Sequence, residues 1–351
     1  MNRITTVSRL EAIVGRPSSA VTTKQLDHVG EEYRAVVTGS PVAGLGFSAA
    51  LTGAPVNTLV GGGPGFVRVD SPRNISLARP EGPHRPAPGG GVSFLFLLPG
   101  IGETLRLNGF VEQSGSRLGV RVEEVYVHCA RCILRSGLWR HTESPDAGPD
   151  PDPAGPADPA GPLRRPEVAG FLAASPFLLL STSDGRGSSD TSPRGDPPGF
   201  ARILDGRTLA IPDRRGNRRA DTFRNLLVDD RVALTALVPG RTLVLHLRGT
   251  AAVTDDPALL SQMTLTRTAP HAALIVDVEF AQLAENEALA RSSIWRPQAG
   301  AGHGTVPDLI GIAARQVARP LGAAPRLTRL LVDLGYRVQL WREGYRTGRR
   351  P

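Results

Sequence analysis

Pro64-Gly65-Phe66-Val67-Arg68 returns 134 positions later as Pro198-Gly199-Phe200-Ala201-Arg202, and the same offset carries Arg73-Asn74-Ile75-Ser76-Leu77 onto Arg207-Thr208-Leu209-Ala210-Ile211 and Gly82 onto Gly216. Further along, Leu97-Leu98-Pro99-Gly100 matches Leu237-Val238-Pro239-Gly240 and Gly109 falls on Gly249, now at an offset of 140. Val120-Arg121-Val122-Glu123 then matches Val276-Asp277-Val278-Glu279, and Arg135-Ser136 with Trp139 falls on Arg291-Ser292 with Trp295, at an offset of 156. An ordered series of matches with a growing offset is the signature of an internal repeat. The second copy carries two added pieces, around Arg218–Leu227 and Thr254–Ala272. Asp221 to Leu227 and the run after Asp255-Asp256-Pro257 have helix-start chemistry and are predicted as short helices. The matched blocks alternate or run apolar over five to eight residues between Gly/Pro turns, so they are predicted as strands. Many short strands with few helices predict a mainly β fold built as a barrel.

Between the copies, residues 141–163 read HTESPDAGPDPDPAGPADPAGPL, dense in proline and almost without large apolar side chains. Such a segment cannot bury a core and is expected to act as a semi-extended linker. The expected division is therefore a first domain over 1–140, a linker over 141–163, a second domain over 164–300 and a C-terminal extension over 301–351. In that extension Leu309–Val317 and Leu327–Leu334 have helical spacing, Gly335 is a natural C-cap, and Tyr336–Trp341 alternates like a strand.

The chain has 351 residues, 40% hydrophobic, with a formal net charge of +8. That is enough apolar content for two ordinary cores. Lys24 is the single lysine, so arginine carries nearly all the positive charge. No basic block with interleaved aromatics is present, which argues against nucleic acid. The strongest apolar run, Val92 to Leu98, is too short to span a bilayer and ends at Pro99-Gly100. With two cysteines and no apolar segment behind Met1, the expectation is a cytoplasmic protein with no membrane partner. His128-Cys129-x-x-Cys132 lacks a fourth metal ligand and has the wrong order for covalent haem attachment, so no metal is expected and the cysteines read as a buried pair.

Four blocks carry a family resemblance. They are Ser192-Pro193-Arg194-Gly195-Asp196-Pro197-Pro198-Gly199-Phe200, Ile211 through Arg214-Arg215-Gly216-Asn217-Arg218-Arg219, Pro99 through Gly102-Glu103-Thr104-Leu105-Arg106-Leu107-Asn108-Gly109, and His128 through Arg131-Cys132-Ile133-Leu134-Arg135-Ser136-Gly137-Leu138-Trp139. Together they resemble FMN-dependent proteins of the pyridoxamine 5'-phosphate oxidase class, over roughly 4–140 and again over 164–297. The resemblance implies two tandem FMN-binding split β-barrel domains forming an intramolecular pseudo-dimer, with FMN at the domain interface. It implies an oxidoreductase acting on a small-molecule substrate with an electron donor, as a monomer with an internal pseudo-dimer or a higher oligomer. The first two blocks are kept in the second copy and the last two in the first. This predicts one composite site, with a phosphate side from Ser192, Arg194, Gly195, Asp196, Arg214, Asn217 and Arg218 and an opposing side from Arg131, Arg135, Ser136 and Trp139.

A flavin phosphate is a dianion, and arginine forks, hydroxyls and backbone N–H groups are what bind one. Arg291, Ser292 and Trp295 repeat the Arg135, Ser136 and Trp139 trio, which favours packing for that trio. The alternatives carried alongside are a deazaflavin in place of FMN, a haem with His128 or His246 as axial ligand, and a flavin-binding scaffold without turnover. The C-terminal extension is expected to cap the vacated second site or to form an oligomer contact.

Overall fold

The computed structural model describes residues 2–18, 21, 25–82, 84–140, 160–265, 268–296, 308–321 and 325–342. The expected linker lies almost wholly outside them, and its last residues already belong to the second fold: Leu163 is buried in a short 3-10 turn, Pro162–Arg164.

A two-residue strand, β1 (Arg3–Ile4), opens the chain. The first repeat then forms β2 (Val42–Ser48), β3 (Pro55–Gly61), β4 (Val67–Ser71), β5 (Asn74–Ala78), β6 (Gly91–Leu97), β7 (Thr104–Ser114) and β8 (Arg117–His128). The second forms β9 (Phe177–Ser183), β10 (Ser189–Gly195), β11 (Arg202–Ile203), β12 (Thr208–Asp213), β13 (Arg231–Leu237), β14 (Leu243–Thr254) and β15 (Ala272–Glu285). Both make antiparallel sheets. One has the order β3-β2-β6-β7-β8-β5-β4, the other β10-β9-β13-β14-β15-β12-β11. Counting strands from the start of each repeat, the two orders are identical. The fold is mainly β, of the split-barrel kind.

The repeat extends to an irregularity. The β7/β8 ladder slips at Asn108/Gly109 and the β14/β15 ladder at Arg248/Gly249, the matched position. A Cβ on Gly109 would sit 2.2 Å from the Arg121 carbonyl oxygen, and one on Gly249 1.8 Å from that of Asp277. The bulge brings partner backbone where a side chain would be, so only glycine fits. The added helices of the second copy form at Asp221–Leu226 and Pro257–Gln262; the latter is capped by the Asp256 side chain accepting from the backbone N–H of Ala258 and Leu259.

Each sheet wraps its own core. A third core lies between them, built from Val42, Leu59, Leu95, Leu97, Cys132, Ile133 and Leu138 of one half and Phe177, Leu179, Leu237, Val244, Ala288, Leu289 and Ile294 of the other. Edge strands β3 and β10 form the seams, each packed against strands of the opposite sheet. Close approach depends on Gly46, where a Cβ would lie 2.2 Å from both Ser181 Oγ and Thr191 Oγ1. Those hydroxyls join Ser93 in a buried cluster that satisfies the polar groups at the centre of the seam.

The ends of the chain cross over. β1 pairs with β14, and Leu10 and Val14 of the Val7–Val14 helix enter the second sheet's core. Conversely Leu309 and Ile312 of the Leu309–Leu321 helix enter the first sheet's core, with Tyr33 Oη donating to Gln316 Oε1 at 2.7 Å. The expected 1–140 and 301–351 units are thus interleaved by apolar faces that find their groove on the other half or on the distant end of the chain. No described residue of 308–342 lines either of the two cavities at the seam. Tyr336–Trp341 is also not a strand. Pro325–Arg342 is one continuous helix through Gly335, and the period that decides it is the stripe Leu327, Leu330, Leu331, Leu334, Val338, Trp341. That stripe is exposed. Among the described residues, no helix is long and apolar enough to cross a membrane.

Candidate functional site

A cavity of about 650 Å³ opens at the seam where β10 and the loop after β12 meet the end of β8 and the Arg131–Ser136 helix. Nine of the eleven site residues expected from sequence line it: Ser192, Arg194, Gly195, Asp196, Arg214, Asn217 and Arg218 from the second half, with Arg131 and Arg135 from the first. The lining of this cavity therefore comes from both halves. Nine arginines face three aspartates in the lining, so the cavity carries a strongly positive field suited to an anion.

The lining arginines divide by what they touch. Arg214 donates through Nε to Asp196 Oδ2 at 2.6 Å and through its Nη atoms to the carbonyls of Met263 and Thr268. Arg135 lies 3.5 Å from Asp196 Oδ1 and donates to the Gly195 carbonyl at 3.2 Å. Asp196 is 1% exposed, so this Arg–Asp–Arg group is a buried clamp that ties the first half's helix to β10. It builds the wall. Arg214 and Asp196, expected on the phosphate side, have these polar atoms engaged with protein. Arg131 likewise bridges halves, donating to the Gly216 carbonyl at 2.9 Å.

Arg194 is different. Its Nη1 donates to Asp213, its guanidinium lies 5.3 Å from the Phe223 ring centre, and its buried Nε has no hydrogen-bond partner. Burial opposes charge on Asp213, yet Arg194 and His271 beside it hold its carboxyl below the usual aspartate range. Ser192 Oγ shares a hydrogen bond with Thr222 Oγ1 at 2.9 Å, which links β10 to the added Asp221–Leu226 helix. In the loop between, the left-handed backbone falls on Arg218 and Ala220 rather than on Gly216. An arginine held in that region is strained, and such strain gathers at ligand sites. Arg218 is exposed and packs its Cδ against Gly15 of the N-terminal segment.

Ser136 and Trp139 are not in the cavity. Ser136 Oγ donates back to the Ile133 carbonyl, as Ser292 does to Leu289. Trp139 Nε1 donates to the Ile101 carbonyl at 2.8 Å and Trp295 Nε1 to that of Arg241 at 2.8 Å, the two rings meeting at 5.8 Å. They form a symmetric packing pair at the seam, so Trp139, expected on the opposing side of the site, packs outside this cavity. Cys129 and Cys132 are free and buried, and burial pushes the Cys132 thiol up.

Sequence reasoning missed the first-half strand residue Arg106, which lines the cavity and forms a buried ion pair across the seam with Asp190. It also missed the N-terminal wall, Ala12 to Arg16. No motif marks either, though an arginine at an apolar-alternation position of β7 is the signal that could have found the first. His128 lines this cavity, whereas His246 does not.

Residues 165–294 match the family model described as pyridoxamine 5'-phosphate oxidase. No curated protein matches the chain. Among solved structures, the chain is similar to a putative pyridoxamine 5'-phosphate oxidase from Lactobacillus delbrueckii (22% identity, 31% of this chain and 83% of that one, TM-score 0.24). It is also similar to a pyridoxamine 5'-phosphate oxidase-related, FMN-binding protein from Nostoc punctiforme (12% identity, 36% and 84%, TM-score 0.28). A third is HupZ of Group A Streptococcus (17% identity, 33% and 90%, TM-score 0.29).

Proposed function

We propose, from the premise that residues 165–294 form a domain of the pyridoxamine 5'-phosphate oxidase type, that the chain is a flavin-dependent oxidoreductase acting on a small molecule, with one FMN in the composite cavity between its two sheets. The observation that carries this is the convergence of cationic side chains from both halves on a cavity of about 650 Å³, within the range of cofactor sites. The residues fit the group. Arg194 Nε is a buried donor without a partner, and a phosphate oxygen is the acceptor it calls for. Arg218, exposed and held in a strained backbone, is the second phosphate ligand in this reading.

The clamp of Arg135, Asp196 and Arg214 holds the two walls in register, so the ligand meets a site already formed. Arg131 fixes the phosphate-side loop to the first half through the Gly216 carbonyl. A bound flavin supplies the redox chemistry, and this chain binds, orients and shields it. A single chain supplies both walls, so the site is complete in a monomer.

The test is to purify the protein, record its absorption spectrum, release the chromophore and determine its mass and its ratio to chain. The expected result is about one FMN per chain, emptied in Arg194→Gln and in Arg218→Glu. A Soret band, a deazaflavin mass, or no chromophore and no uptake of added FMN would refute the FMN reading.

A further inference from the structure

The seam has a second cavity, of about 590 Å³, which shares no lining residue with the first. It is the first cavity's counterpart under the repeat. β3 takes the place of β10 and β14 that of β7, with Arg291 standing where Arg135 stands. Its chemistry is inverted. The register puts Val56 at the position of Asp190, Val60 at that of Arg194, His246 at that of Arg106 and Glu287 at that of Arg131. Three arginines now face three glutamates, and Arg291 is neutralised by Glu81 at 3.0 Å and Glu287 at 2.7 Å. The net field that suits a phosphate in one cavity is absent from the other.

Beside those charges stand apolar walls and a buried acceptor. Phe47, Val56, Phe66, Leu77 and Phe280 supply its walls. Asn57 is 4% exposed; its Nδ2 donates to Ser181 Oγ at 2.6 Å, and its Oδ1 is buried without a partner. The Thr235 hydroxyl donates to the Asn57 backbone carbonyl at 3.0 Å and lies 3.1 Å from His246 Nδ1. Burial keeps that ring neutral by pushing its pKa down to about 4. An orphan buried amide oxygen beside aromatic walls, in a lining whose formal charges balance, calls for a ligand that brings a hydrogen-bond donor and no net charge.

We infer that this second cavity binds an uncharged, ring-containing small molecule bearing O–H or N–H donors, independently of the anion-binding cavity. The pocket lacks the first cavity's phosphate chemistry at a similar volume, and the buried Asn57 Oδ1 selects for a donor, since any other ligand strands it.

The test uses the full chain, with and without added FMN, in equilibrium dialysis against three probes of one ring system: 2-naphthol, 2-methoxynaphthalene and 2-naphthyl phosphate. The expected result is one 2-naphthol per chain in both conditions. Blocking its donor as the methyl ether should weaken binding by about tenfold, the value of one good hydrogen bond, and the phosphate should bind weaker still at this site. Ala284→Phe places a ring in the chamber from a half-buried wall position and should abolish 2-naphthol binding, while FMN uptake, read by its own absorbance, is unchanged. Equal binding of naphthol and its ether, tighter binding of the phosphate with FMN present, retention of naphthol by Ala284→Phe, or no naphthol binding to the native chain would each overturn the inference. The naphthol and FMN readouts are separate, so failure of one reading is distinguishable from failure of the other.

Discussion

Arg106→Met tests whether the seam between the sheets is held by charge. The Arg106 and Asp190 side chains are 3% and 8% exposed and pair directly across the two halves. Removing the guanidinium leaves the Asp190 carboxylate buried, with Thr222 Oγ1 at 3.3 Å as a neutral donor. Breaking one side of a buried pair costs about 3–5 kcal/mol, while replacing both partners by apolar groups of like volume is often neutral. The other seam carries no ion pair there, since Val56 and His246 occupy the two positions. Urea unfolding followed by tryptophan fluorescence should therefore show Arg106→Met destabilised by about 3–5 kcal/mol at constant m-value. Arg106→Met with Asp190→Leu should recover most of that loss, giving a coupling of roughly 3 kcal/mol in the double-mutant cycle. If the double variant is as unstable as the single one, the charge account of the seam is wrong and the loss is one of packing.

The bulge glycines predict that Gly249→Ala and Gly109→Ala each lower stability by about 1–3 kcal/mol, because a Cβ meets a partner carbonyl, while Gly115→Ala, with nothing within 4 Å, stays within about 0.5 kcal/mol. His246 predicts a pH dependence. Its pKa is lowered from 6.5 to about 4 in the folded chain, so below 6.5 the unfolded state binds the proton that the fold refuses. Stability should be full above pH 6.5 and fall by on the order of 3 kcal/mol toward pH 4. His246→Leu should flatten that part of the curve, and an unchanged slope would remove His246 as its source. Finally, neither cysteine should react with Ellman's reagent in the native protein, both should after unfolding in guanidinium, and rapid native labelling of one would contradict the buried-pair geometry.

The repeat was readable because its anchors are backbone constraints. Pro-Gly turns and the pair Gly109 and Gly249 persist where side chains drift, since the bulge carbonyls leave no alternative. Of the added helices, Pro257–Gln262 was legible from its Asp256 cap and Asp221–Leu226 from the acidic residue in its first turn. The cavity lining was legible where arginines cluster with glycine, around Arg194 and Arg218. What each charge touches was not, because sequence does not show that Asp196 lies between Arg214 and Arg135. Arg106 was missed because its partner Asp190 lies 84 positions away in another sheet. Tyr336–Trp341 alternates over six residues, too few to outweigh the helical period running from Leu327. The crossing of the chain ends left no local mark, since an amphipathic helix shows that a face is to be buried and not against what.

The crossing has a consequence for assembly. A cavity walled by two separate subunits comes apart on dilution, and its ligand affinity falls with protein concentration. Here the walls belong to one covalent chain, and each half is also laced to the other end of the chain by Leu10 and Val14 on one side and Leu309 and Ile312 on the other. The second wall is present at an effective concentration that dilution cannot lower. Dilution leaves both seam cavities walled, and each is free to change without forcing the same change on the other.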